Sequence, residues 1–394
     1  MNVVFFDILA TGHHSEYIDH LCEFIIKNKK NNNYFFLVNP SFKSLFPKIV
    51  EKTKTSNYIN WIEISNKDFN KTQKGNIISK SFNYFMLLKK YSNEIIPSNV
   101  ILLDFNLFVL PLIFFRPKYN IQGILFHQFT RYRKDKFKYK IKSFCKLILF
   151  KMCLINDRLS ALYILNDLYS VKKLNKKCKT NKFQFLPDPI PILNPIKGFN
   201  IYNYYNLDKK RKILLHFGAL GDRKGTFEIL ESIYYMPKKN QKEIILLFVG
   251  KFGITKEKEK FLYEMEKVKH NSVVDIFYDD RFVSNELMKS LFNECHGVLM
   301  PYKNPEGSSG VLGHAVASNK KIITTGKGLL GDIVASNNFG YLVDEVCPKL
   351  ISSSIVLLIK NCDNQNINPK INEFLDNHSS KSFSKKIIDN ILIL

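Results

Sequence analysis

KILLHFGALGDRKGTFEILESI, residues 212–233, is the stretch on which the fold turns. Its first half is a continuous apolar run, the signature of a strand covered on both faces rather than half in water. Gly218 and Gly221 follow in a turn, and a helical stretch begins beyond Arg223 and Lys224. A strand, a glycine-containing loop and a helix in that order let a ligand approach the backbone closely. Free amides at the helix start, with two cations beside them, suit a pyrophosphate. The same string would also serve as an ordinary strand–turn–helix with solvated basic residues.

The pattern repeats on both sides. Downstream come EIILLFVG, VVDIFY, HGVLMPY, KKIITT and YLVD; upstream come apolar runs at 3–9, 34–39, 59–64, 100–105, 123–129, 159–165 and 183–187, separated by amphipathic segments. Such alternation implies parallel sheets with helices on both faces. It is broken once, where Pro187, Pro189, Pro191 and Pro195 precede a polar run to residue 210. The expected architecture is α/β: a doubly wound Rossmann-like domain over 1–186, a linker over 187–210, and a second such domain over 211–394, with the last helix able to pack back on the first. Two domains of this kind facing across a cleft bind ligands at the carboxyl ends of their strands.

Bulk properties agree with a packed, two-domain protein. The 394 residues are 45% hydrophobic, too many for disorder. Lysine and arginine exceed aspartate and glutamate by 59 to 35, a net charge of +24. The lysines are scattered and no nucleic-acid recognition motif accompanies them, so the charge points to anionic membranes, phosphates or nucleotide sugars rather than to nucleic acid. Seven widely spaced cysteines show no metal-ligand spacing and fit a reducing compartment. The first residues lack the basic region of a signal peptide, and the longest apolar stretch, 100–115, is shorter than a spanning helix requires. The chain is expected to be cytoplasmic, or peripheral on the inner face of the cell membrane.

A second motif, NPEGSSGVLGHAVASNKKIITT (304–325), places Glu306 in a loop ahead of a helix that Ser308 or Ser309 can cap. Amides near Ser309 and Gly310 offer anion donors, and a carboxylate beside them suits sugar hydroxyls. A solvated loop glutamate is the plainer reading of that feature alone. In sequence order, the Lys224–Gly225 pair, the segment FVSNELMKSLFNECHGVLMPY (282–302), Glu306 and GLLGDIV (328–334) resemble the motifs of the retaining glycosyltransferases of family four, glycosyl transferases group 1, over roughly 211–345.

That resemblance implies the GT-B fold, a nucleoside-diphosphate sugar as donor, retention of anomeric configuration, and no metal or cofactor. It assigns Glu306 to the transferred sugar and Gly218, Arg223, Lys224, Ser309, Gly310 and His314 to the donor. Asp332 falls where an acidic residue is usual, while Asp279 and Asp280 read as structural. Two positions depart from the family pattern: Ala219 stands where an arginine is usual, and His314 replaces the glutamate that holds the ribose. In the first domain, TGHHSEY (11–17) occupies the place of the family's glycine loop, with Gly12, His13 and His14 facing donor or acceptor; His127 matches the histidine that contacts the transferred sugar.

Residues 131–152 form a basic amphipathic helix, with Phe137, Ile141, Phe144, Ile148 and Met152 at helical spacing among lysines. It fits an anionic membrane surface; equally, the apolar stripe could pack on the first sheet. The reading is thus a glycosyltransferase acting on a glycan or lipid-linked glycan in cell-surface polysaccharide or glycoconjugate synthesis. A GT-B sugar-nucleotide epimerase would need two carboxylates around the anomeric centre, and only Glu306 stands out. A non-catalytic, membrane-associated partner with a decayed donor site is the alternative that Ala219 and His314 favour.

Overall fold

Along Asn2–Asp7 (β1) the side chains of Val3 and Phe5 enter one core cluster and those of Val4 and Phe6 another. Continuous apolar runs arise in this way when both faces of a sheet are covered. In the computed structural model, which describes all residues except 11–12, 29–30, 127–128, 132–136, 305–306, 362–367 and 393–394, β1 is joined by Asn33–Val38 (β2), Ile59–Glu63 (β3), Asn99–Leu102 (β4), Asn120–Ile124 (β5), Leu159–Leu165 (β6) and Phe183–Leu186 (β7). They form one sheet in the order β3-β2-β1-β4-β5-β6-β7, every pair parallel. A second all-parallel sheet contains Lys212–Phe217 (β8), Ile244–Val249 (β9), Asp275–Asp279 (β10), Gly297–Met300 (β11), Lys321–Thr325 (β12) and Gly340–Val343 (β13), in the order β10-β9-β8-β11-β12-β13. This is the α/β, doubly wound pair of sheets expected for the GT-B fold.

The chain divides into two compact units, Met1–Pro189 with Ser379–Leu394, and Ile190–His378. The stretch 187–210 is therefore shared rather than a free linker. Its prolines give way to Ile190, Phe199, Ile201 and Leu207, all of which pack into the core of the second unit. The final helix Ser380–Leu392 places Phe383, Ile387, Ile388 and Ile391 in the core of the first, beside the helix His14–Lys27.

Among the described residues the basic helix runs from Phe137 to Leu154. Just ahead of it the guanidinium of Arg131 donates to both carboxylate oxygens of Asp167, at 2.6 and 2.9 Å. Asp167 is fully buried, also accepts from the Ser170 amide at 3.0 Å, and so caps the helix Leu168–Cys178. Burial, the largest single effect, raises its carboxyl, but these bonds and the Arg131 charge together outweigh it and hold the carboxyl below the usual range. Asp167→Ala should destabilise the first unit by about 3–5 kcal/mol, because the buried two-pronged pair with Arg131 and the cap on Leu168–Cys178 are lost together. Chemical denaturation, followed by a probe in that unit, reads the loss; a cost under about 1 kcal/mol would show that the pair is solvated in solution.

Candidate functional site

The second sheet reverses its winding at β8. The chain passes outward to β9 and β10, then returns to the other side of β8 to lay down β11, β12 and β13. Loops leaving neighbouring strands at such a reversal diverge and leave a crevice beyond the carboxyl ends. Here those loops are 218–225 and 301–309, the two stretches singled out in the sequence.

The loops touch backbone to backbone. Gly225 has φ of 71°, and a Cβ there would lie 2.1 Å from the Pro301 carbonyl oxygen. No side chain fits, so glycine sets the closeness of approach. The Lys303 amide donates to the Arg223 carbonyl at 3.0 Å, and its ammonium bridges Asp222 and Glu228 at 2.6 Å each. Beneath them the buried His216 is the hub of a one-way chain of hydrogen bonds. Its Nδ1 lies 2.8 Å from the Leu299 carbonyl and must donate, so Nε2 accepts from the Thr226 hydroxyl at 2.9 Å, and that hydroxyl accepts from the Gly221 amide at 3.1 Å. Burial holds the His216 imidazole neutral, with its pKa lowered to about 4. The network ties β8, β11 and the glycine loop into one piece.

Lys224 sits over this platform. It is 8% exposed, and its ammonium lies 3.7 Å from the centroid of the Tyr302 ring. The ring face favours the cation. Burial opposes it more strongly, with Arg223 adding repulsion, and the ammonium's pKa falls to about 7. Arg223 itself is exposed. The helix Gly310–Ala317 points its first turn at the same place: a Cβ on Gly218 would lie 3.7 Å from Val311. Ser309 occupies the N-cap position, but its hydroxyl does not cap the helix; it lies 3.5 Å from the Tyr302 hydroxyl. His314 is half-buried one turn on, its ring 5.7 Å from that of Phe292. Gly218, Arg223, Lys224, Ser309, Gly310 and His314 are thus carried by two joined loops and the helix they feed. Amides, a buried lysine and an exposed arginine in one place suit an anion.

In the first unit the matching reversal lies between β1 and β4. His14, at the start of the helix that follows β1, places Nδ1 2.7 Å from the buried Asp7 carboxylate, whose other oxygen accepts from the Leu9 amide at 3.0 Å. Burial pushes the Asp7 carboxyl up. For His14 burial pulls the other way, yet the bond to Asp7 leaves the imidazole more basic than usual. His13 pairs with Glu16 at 3.2 Å, which raises its pKa. Asp188 accepts from the Tyr17 hydroxyl at 2.5 Å. Glu306, His127 and Gly12 lie outside the described residues.

Asp279 accepts from Tyr205 at 2.6 Å and from Arg281 at 3.0 Å, and Asp280 pairs with Lys258. Asp332 is exposed on the helix Gly328–Asn337. His216, Thr226, Tyr302 and Lys303 escaped the sequence reading. His216 left a signal, a lone polar side chain inside an apolar strand; Tyr302 left none, because its role depends on Lys224.

The unfolded lysine keeps its proton to about 10.5 and the folded one only to about 7, so the unfolded state binds more protons between those values and stability rises with pH there. Lys224→Met should accordingly stabilise the unliganded protein. The gain is fully present below about pH 7 and shrinks as pH rises toward 10.5. Thermal unfolding from pH 6 to 10 reads it, and parallel curves for wild type and variant would show that the ammonium carries no burial cost.

The family model for glycosyl transferases group 1 matches residues 200–373, which contain this whole site. No curated protein sequence matches the chain. Among solved structures, the fold is similar to that of HepE from Anabaena in complex with UDP (TM-score 0.70, 13% identity, 100% of both chains). It is similar also to WaaG, a glycosyltransferase involved in lipopolysaccharide biosynthesis (0.62, 14%, 99% of both). A third is sucrose-phosphate synthase from Thermosynechococcus elongatus (0.68, 11%, 99% of this chain and 98% of that one). The joined loops of the second sheet thus lie in a glycosyl transferases group 1 domain, and the chain carries that glycosyltransferase domain on the GT-B fold.

Proposed function

We propose that the enzyme moves a sugar from a nucleoside-diphosphate sugar to a hydroxyl of a glycan or lipid-linked glycan, with retention of anomeric configuration, in the synthesis of a cell-surface polysaccharide or glycoconjugate. The observation that carries this reading is Lys224, buried against Tyr302 where the two loops meet. A buried cation bonded to no carboxylate among the described residues is costly, and a diphosphate offsets that cost. In the transfer, the bond from the anomeric carbon to the diphosphate oxygen breaks and its electron pair leaves with the diphosphate. The acceptor oxygen bonds to that carbon and passes its proton to the departing diphosphate. Lys224, Arg223 and the amides at Ser309 and Gly310 oppose the charge that develops on the leaving group. His314 is assigned to the ribose. Glu306 and His127 are assigned to the sugar, and Gly12, His13 and His14 to the loop facing donor or acceptor, on the strength of the sequence motifs. No metal or cofactor is invoked.

HepE has been seen with UDP and with UDP-glucose, which makes UDP-glucose the first donor to test here. WaaG belongs to lipopolysaccharide synthesis, which supports an acceptor of the lipid-linked glycan class. Among the described residues no helix is long and apolar enough to cross a membrane. Peripheral attachment on the cytoplasmic face, through residues 131–152, completes the proposal.

Binding and turnover test it separately. UDP affinity, by calorimetry, should be greatest between about pH 6 and 7, where the second ionisation of a phosphate, near 6, is past its midpoint and Lys224 keeps its proton, and should weaken above that as Lys224 loses it. Lys224→Met should cost roughly 1.5–3 kcal/mol at pH 6.5 and flatten the dependence. Unchanged UDP affinity in the variant would remove the phosphate role. Glu306→Gln should lower turnover at least ~10-fold, about 1.4 kcal/mol, with UDP affinity nearly unchanged, whereas His314→Ala should weaken UDP binding with a smaller effect at saturating donor. Both variants failing in the same parameter would overturn this division. UDP binding without turnover across a broad acceptor panel would favour a non-catalytic partner.

A further inference from the structure

The helix Phe137–Leu154 is seated on the first sheet by Phe150 and Cys153. The stripe read from its sequence as an apolar face lies on the other side: Phe137, Ile141, Phe144, Ile148 and Met152 are 42–76% exposed. Neighbouring helices of the same layer continue the patch. Ile78 and Met86 on Ile77–Ile95 are about half exposed, as is Leu168 on Leu168–Cys178, and Phe114, which ends Val109–Phe114, is more so. The layer on the opposite face of that sheet, formed by His14–Lys27, Phe42–Leu45, Pro47–Thr53 and Ser380–Leu392, exposes one large apolar side chain among the described residues, Leu45.

Charge marks the same layer. Phe137–Leu154 carries five lysines and Leu168–Cys178 four, and neither helix contains a carboxylate. Between these two helices lies a cleft of about 210 Å³, with Phe129, Phe144, Leu147 and Leu174 as apolar lining and Lys140, Lys173 and Lys177 at its walls. Exposed apolar side chains gathered on neighbouring helices mark an interaction surface. Its composition selects the partner, because lysine is depleted from the cores of protein interfaces. At a bilayer boundary, by contrast, lysine stems lie along apolar surface while their heads reach anionic phosphates.

We propose that this helix layer is the surface on which the protein lies against an anionic phospholipid bilayer. Phe144 and its neighbours enter the acyl boundary, and the cleft between the two helices receives a lipid phosphate. The proposal deepens the membrane reading of residues 131–152 from one helix to a layer of four, and its test needs neither donor nor acceptor, so it fails or stands apart from the transfer reaction.

Full-length protein is sedimented with vesicles of equal parts phosphatidylglycerol and phosphatidylcholine, and with phosphatidylcholine alone. Binding is expected to the first set, weakening with salt, and not to the second. Replacing Lys140, Lys151 and Lys177 together with Gln should lower the affinity at least tenfold, since each cation contributes ~1 kcal/mol near such a surface. Ile141→Ser with Phe144→Ser and Ile148→Ser should abolish sedimentation even at low salt, while leaving UDP affinity unchanged as proof of folding. Phe144→Trp in a Trp61→Phe background should shift its emission to the blue on adding anionic vesicles. Equal binding to both vesicle types, undiminished binding by the serine variant, or an unshifted tryptophan would each overturn the proposal.

Discussion

Parallel strand pairing is the constraint from which the site follows. A parallel sheet needs a crossover helix between successive strands, and crossovers keep one hand. A chain that begins in the middle of its sheet must therefore reverse direction once, and at the reversal two adjacent strands send their loops apart. In the second unit those strands are β8 and β11. The crevice is thus a product of topology. What the sequence adds is the means to hold its two lips together: Gly225 against Pro301, Lys303 across Asp222 and Glu228, and His216 below.

The site combines rigidity with an unfavourable charge. Both ring nitrogens of His216 are bonded and the Thr226 hydroxyl both donates and accepts, so the platform has little freedom. The ammonium held above it is pushed toward neutrality by burial. Placing a poorly solvated cation on a rigid seat makes an anion the natural complement, and the stabilisation appears when the anion arrives rather than in the empty protein.

Much of this was legible in the sequence and some was not, for identifiable reasons. Runs such as ILL in β8 and IILLFV in β9 declare buried parallel strands without help. Gly218 and Lys224 stood out because a glycine turn followed by cations is a local pattern. The burial of Lys224 was not local: it depends on Tyr302, far along the chain, which presents its ring only once β8 and β11 pair. The sequence leaves Ser308 or Ser309 as the cap; the helix begins after Ser309, yet the Ser309 hydroxyl turns to Tyr302. The basic helix shows the limit of periodicity. Its apolar side chains occupy two sectors, and spacing alone does not say which one meets the sheet. Likewise the prolines after residue 186 announced a break, but Ile201 and Leu207 already belong to the second core.

The division of the chain has a consequence for biogenesis. Ser380–Leu392 contributes four buried side chains to the first unit, so the second unit is in effect an insertion between residue 189 and residue 379 of its neighbour. The two crossing points lie side by side, since the Ile190 amide donates to the His378 carbonyl at 2.8 Å. On the ribosome the first unit emerges first, yet the helix that completes its core is made last. Ile190–His378 forms an uninterrupted segment able to close its own core during synthesis, whereas the first unit waits with an apolar surface around Tyr17 and Tyr163 uncovered. Truncation before residue 380 would leave that surface open permanently, making the early half the aggregation-prone one.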